Sequence, residues 1–210
     1  GNHLSTAQLM QDFTLYFQLG WHHIISWDAL DHILFVLAIS AIYILSDWKQ
    51  VLVLVTAFTI GHSLTLALSV YDIIRVNDKL VEFLIPCTIV ATAVFNIFQK
   101  DFSKRSLRFN YLLALFFGLI HGLGFANTIR FMLAKDQQIG WSLFSFNVGL
   151  EAGQIVIVFC ILFTSFLMVN RSVNLWKKIQ FTVKRKWWVW TLSALCFYIA
   201  LNMIIDRWIF

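Results

Sequence analysis

Three histidines, His32, His62 and His121, and two carboxylates, Asp31 and Glu151, stand inside or at the edge of long apolar runs. An ionisable side chain at a bilayer centre costs about 2.5–3.5 kcal/mol on insertion scales, so such residues need a reason to be there. Imidazole nitrogens and carboxylate oxygens are the donors that hold divalent transition metals. The chemistry these residue types point to is therefore metal binding within apolar surroundings.

Each residue has neighbours at helical spacing. In Trp27-Asp28-Ala29-Leu30-Asp31-His32, Asp28 shares a helix face with Asp31 and His32, and His22 and His23 lie just upstream. The plainer reading of this group is a polar, interfacial start to a helix. His62 is flanked by Thr59 and Thr65, with Ser63 next to it. A lone histidine in a soluble core is usually just hydrogen-bonded, but threonines satisfy their own hydroxyls locally and require no histidine. His121 sits between Gly118 and Gly122, a pair that lets a neighbouring helix approach closely. Asn147, Glu151 and Gln154 form one polar stripe, accompanied by Gly149 and Gly153. Glu82 and Asn96 are 14 residues apart, close to four helical turns, and so share a face. Glu82 is read equally well as an interfacial residue.

Together the expected ligands are Asp31, His32, His62, His121 and Glu151. Asn147, Gln154 and Ser63 are natural hydrogen-bonding partners behind them, and Asp28, Glu82, Asn96, His22 and His23 are candidates along a pathway. Three imidazoles with carboxylates suit Ni²⁺, Zn²⁺, Co²⁺, Fe²⁺ or Mn²⁺. Cys87, Cys160 and Cys196 are too far apart in sequence to form a thiolate motif, and the four methionines are scattered, which disfavours Cu⁺. The same donor set could hold Zn²⁺ with an open position and activate water. An intramembrane zinc-dependent hydrolase, with Glu151 or Asp31 as general base, is thus the alternative to a transporter. No HExxH motif or nucleophile elbow supports it. A metal-binding subunit that moves nothing is the third reading.

The elements that must position these residues are transmembrane helices. The 210 residues are 60% hydrophobic and 13% charged, about half the charge of a soluble domain. Nine Trp and 21 Phe suit lipid-facing surfaces and interfacial belts. The expected fold is an all-α polytopic bundle with six spans, at about 29–46, 51–71, 80–99, 110–131, 141–169 and 187–206. Residues 1–28 form a separate external segment, in which 6–27 reads as an amphipathic helix lying on the membrane surface. Gly1-Asn2-His3 lacks the basic-then-apolar pattern of a cleavable leader, which does not exclude one already removed. The net charge of +5 comes from short runs between spans, where orientation signals belong, and nucleic acid is not an expected partner. Lys49, the 100–109 link and the 170–186 link carry most of the Lys and Arg. Positive-inside then puts these on the cytoplasmic side of the cell membrane and both termini outside. The site should open outward. The expected partners are the metal ion and the lipid bilayer, with a homo-oligomer left open.

Four stretches resemble the HupE/UreJ family of hydrogenase and urease accessory membrane proteins. They are Asp31-His32-Ile33-Leu34-Phe35, Thr56 to Leu66, Phe117 to Ala126 and Phe146 to Gln154. The resemblance runs in order from about Gly20 to the sixth span. It implies nickel or cobalt uptake, because those accessory systems serve nickel enzymes. Ala29, Gly61 and Pro86 depart from the family's pattern and leave every expected ligand in place.

Overall fold

The computed structural model describes residues 6–99, 109–133, 138–170 and 184–208, without the side chains of Asp28, Phe109, Asn127, Phe131, Leu133 and Asn170. The basic links at 101–108 and 171–183, on which the orientation reading rests most, lie outside the described residues. The described chain is helical: α1 (Thr6–Ile25), α2 (Leu30–Ser40), α3 (Trp48–Val70), α4 (Asp78–Phe98), α5 (Phe109–Gly124), α6 (Ala126–Leu133), α7 (Ile139–Ser165) and α8 (Arg185–Asp206).

Among the described residues, four helices are long and apolar enough to cross a membrane, within Leu45–Val70, Asp78–Phe98, Ile139–Val169 and Arg185–Asp206. The first and fourth expected spans differ from that pattern. The stretch at 29–46 yields an α2 of only 11 residues, joined to α1 at a bend of 69°. The stretch at 110–131 breaks at Phe125 into α5 and α6. Counting α1 and α2 as one broken span raises the number of crossing candidates to five.

The N-terminal helix does not stand apart from the bundle. Trp141 Nε1 donates to Leu9 O, Gly149 abuts the backbone of Phe17, Gly20 abuts Phe146 and Leu150, and Gly153 abuts Ile24. The paired numbers rise together, so α1 and α7 run parallel and in backbone contact. Composition alone suited α1 to a surface; its glycine crossings commit it to a neighbouring helix instead. A second parallel pair is α3 with α5. A Cβ on Gly61 would collide with Leu115 O, one on Gly118 with Phe58 O, and one on Gly122 with His62 O. The short α2 packs on α4, α7 and α8, and α3 packs directly on α7.

Two apolar clusters divide the interior. One joins α2, α3, α4, α5, α7 and α8 through residues such as Phe35, Phe58, Ile89, Phe117 and Cys196. The other gathers Tyr16, Leu66, Ala126, Ile129, Leu143, Phe146 and Leu150. The histidines lie where the clusters meet.

Because the α3–α5 contact is backbone on backbone, neither helix can yield by a rotamer change. Gly118→Val is expected to cost at least about 1–3 kcal/mol. Helical circular dichroism during thermal unfolding in detergent measures this. Gly140→Ala, with nothing within 4 Å of the added carbon, should leave the transition unmoved.

Candidate metal centre

Four helices deliver one histidine each to a buried cluster. His23 comes from the last turn of α1, His32 from the first turn of α2, His62 from the middle of α3 and His121 from the last turn of α5. Ring centroids are 4.6 Å apart for His23–His32, 5.1 Å for His32–His121, 6.0 Å for His23–His62 and 6.2 Å for His32–His62. One ring nitrogen from each of His23, His32 and His62 falls within a mutual 4.8 Å. His62 and His121 have no exposed surface.

The hydrogen bonds fix which nitrogens are available. His121 Nδ1 lies 2.8 Å from Phe117 O, which can only accept, so Nδ1 carries the proton. His32 Nδ1 lies 2.9 Å from Asp31 Oδ1, and a carboxylate likewise accepts. In the neutral form of both rings Nε2 is then a bare lone pair. Nε2 of His23, His32 and His121, and both nitrogens of His62, are buried with no hydrogen-bond partner. A buried polar atom without a partner costs about 1–3 kcal/mol. Those of His23, His32 and His62 lie close enough together to coordinate one cation, and the unpaired Nε2 of His121 is buried beside them. Imidazoles whose other nitrogen is anchored on a carboxylate and on a carbonyl form the usual support of a metal site.

Asp31 is therefore placed to orient His32. Its Oδ1 also accepts the His32 backbone N–H at 2.9 Å, and its Oδ2 lies 3.3 Å from Arg207 Nη1. The arginine is held in turn by Pro86. Proline has no N–H, so the carbonyl four residues earlier in a helix loses its donor. That carbonyl belongs to Glu82, and Arg207 Nη1 donates to it at 3.2 Å. The helix α4 runs through Pro86 without interruption. What the sequence offered as an irregularity ties α4, α8 and α2 together at the site.

A cavity of about 380 Å³ adjoins the cluster, lined by His23, Asp31, His32, Glu82, His121 and Arg207 among others. It lies at the end of the bundle where α4 begins and where α5 and α8 finish. Phe58 and Phe35 close the other side: Phe58 is 5.1 Å and Phe35 5.2 Å from the His121 ring, centroid to centroid.

Most of the other residues selected from the sequence fall elsewhere. Glu151 accepts from Thr56 Oγ1 at 2.7 Å, does not line the cavity and does not belong to the histidine group. Gln154 accepts from Thr59 Oγ1 at 2.9 Å. The stripe at 147–154 thus serves the α3–α7 contact at Glu151 and Gln154, while Asn147 stands beside His62, its buried Oδ1 short of a full hydrogen bond. Ser63 donates to Thr59 O, and His22 is exposed. Asn96 is buried and donates to Ala38 O at 2.7 Å, remote from the histidines. His23, read only as a pathway residue, joins the cluster because α1 packs on α7. Arg207 was legible only as a terminal basic residue.

Membrane-crossing helices around a buried imidazole cluster define a polytopic helical membrane protein with a candidate metal centre. The family profile described as HupE / UreJ protein matches residues 2–207, essentially the whole chain, and the chain belongs to that family. Neither a curated protein nor a solved structure matches it.

If Asp31 orients a ligand, Asp31→Asn should weaken Co²⁺ binding by about 10–100-fold. Glu151→Gln should change it by less than roughly 3-fold, since that carboxylate supports no imidazole. Visible absorption during Co²⁺ titration of the detergent-purified protein reads both, and the reverse ranking would reject this division of roles.

Proposed function

We propose that the protein takes up a divalent transition metal, nickel or cobalt, through the His23/His32/His62/His121 cluster. The observation that carries this reading is the convergence of unpartnered imidazole nitrogens beside an open cavity. Membership of the HupE/UreJ family, associated with nickel and cobalt, narrows the choice of ion. In this reading α1 with α2 and α5 with α6 are two broken crossings, which with α3, α4, α7 and α8 make six. Both termini lie outside a cell membrane, and the mouth bordered by Glu82 and Arg207 faces outward. Positive-inside supports that orientation. The carboxylate of Glu82 at the rim attracts the cation, which then exchanges water for imidazole at the cluster. Asp31 stays behind His32 as its hydrogen-bond acceptor.

The test is uptake of Ni²⁺ and Co²⁺ into vesicles containing the purified protein, followed with an entrapped metal-sensitive dye. Saturable uptake that His62→Ala and His121→Ala abolish is the expected result. Uptake should also decline as the external solution is acidified, because protons compete for the nitrogens that hold the metal. Stoichiometric Zn²⁺ that neither exchanges nor moves would overturn the transport reading and favour the hydrolytic one.

A further inference from the structure

The cluster must release its ion inward, and the inward side is closed by Phe35, Phe58, Ile89 and Phe117, each at most 5% exposed. Beyond this apolar layer lies a second, very small cavity of about 10 Å³, lined by Ile39, Thr92, Phe95, Asn96, Asn110, Leu113 and Phe117. Three of these residues are polar and buried in a region otherwise filled by aliphatic and aromatic side chains. Asn110 is 4% exposed, and its Nδ2 donates to Tyr43 Oη at 3.3 Å. That bond directs the amide, and the buried Oδ1 is left without any partner. Thr92 Oγ1 donates to Thr88 O at 2.8 Å, so its remaining lone pairs can only accept.

The two cavities are in register along three helices. On α2 the order is His32, Phe35, Ile39; on α4 it is Ile85, Ile89, Thr92, Asn96; on α5 it is His121, Phe117, Leu113, Asn110. Each series recurs at three or four residues and so follows one helix face. Phe117 belongs to both ends of the arrangement. Its carbonyl anchors His121, and the residue lines the inner cavity. From His121 to Asn110 is 11 residues, about 16 Å of helix.

We propose that Thr92, Asn96 and Asn110 form an inner station for the transported divalent cation, separated from the histidines by a hydrophobic gate centred on Phe117. This rests on the transport reading above. Neutral hydroxyl and amide oxygens suit the task. They replace part of a hydration shell but hold the ion more weakly than imidazole, and conduction needs a step weak enough to leave. The present volume admits about one water molecule, so the gate is shut in this conformation. Opening requires the Phe117 ring to leave its edge-to-face contact with Phe35, where the centroids are 5.5 Å apart. The inner station ends near Tyr43, beside the Asp47–Arg185 pair at 3.5 Å.

Thr92→Val keeps shape and removes the acceptor; Asn110→Leu removes the unpartnered carbonyl. Both are measured in the same vesicles with Ni²⁺, and in detergent for Ni²⁺ affinity. Affinity should stay within about 2-fold of wild type, which also shows that the fold survives, while uptake falls by roughly 10-fold or more for Asn110→Leu. Wild-type uptake that both substitutions leave intact overturns the station and leaves the transport reading standing. A wild-type protein that binds Ni²⁺ and moves none overturns both. Loss of affinity in parallel with uptake in both variants also overturns the proposal, because the residues would then act on the outer site.

Discussion

The structure depends on keeping four imidazoles together with the Nε2 of each buried and without a hydrogen-bond partner in the protein. Left to themselves, such groups would separate and find hydroxyls or carbonyls, since each unpaired nitrogen costs free energy in a dry interior. They are prevented from doing so by the backbone. His62 and His121 ride on helices locked in contact through Gly61, Gly118 and Gly122, and His121 has spent its Nδ1 on Phe117. His23 is brought in by the α1–α7 contact at Gly20, Gly149 and Gly153. The cost at the site is thus offset by packing elsewhere in the same helices.

The same logic explains why His32 needs a longer chain of support. It sits on the first turn of a helix of 11 residues that follows a sharp bend, without a glycine crossing of its own to fix it. Asp31, Arg207 and the carbonyl released by Pro86 compensate for that freedom. They link α2 to the ends of α4 and α8, whose own packing is extensive. A proline that disrupted the helix would be a defect. One that releases a single carbonyl toward an arginine provides a fixed acceptor inside an apolar bundle.

Much of this was legible in the residues. The histidines inside apolar runs announced themselves by cost, and the glycine pairs beside His121 and Glu151 marked close helix contacts. The face shared by Glu82 and Asn96 is present too, with Glu82 lining the outer cavity and Asn96 the inner one. What could not be read was direction in space between helices. Glu151 and Gln154 carried the same polar signal as a ligand stripe, and only the location of Thr56 and Thr59 shows that they pair across α3 and α7. His23 lay in a segment whose composition fitted a membrane surface, and no local pattern reveals that a glycine crossing draws it inward. Hydropathy windows also pass over breaks: the runs at 29–46 and 110–131 are predominantly apolar, yet neither is one continuous helix.

Those two breaks are themselves part of the site. Ser26 and Ala29, at the α1–α2 bend, and Gly124 and Phe125, at the α5–α6 break, all line the outer cavity. Interrupting a helix inside lipid strands backbone groups, which is tolerated where the break borders a cavity that water can enter. Here each break also ends or begins a helix at the cluster, so His23 and His121 occupy last turns and His32 a first turn. A continuous helix would present its histidine sideways, wrapped by neighbours on every face. A broken one presents it at an end, with one side against protein and the other toward the cavity. Discontinuous helices therefore reconcile two demands that conflict in a straight bundle: burying the imidazoles enough to keep their nitrogens unpaired, and leaving one side of the cluster on a cavity.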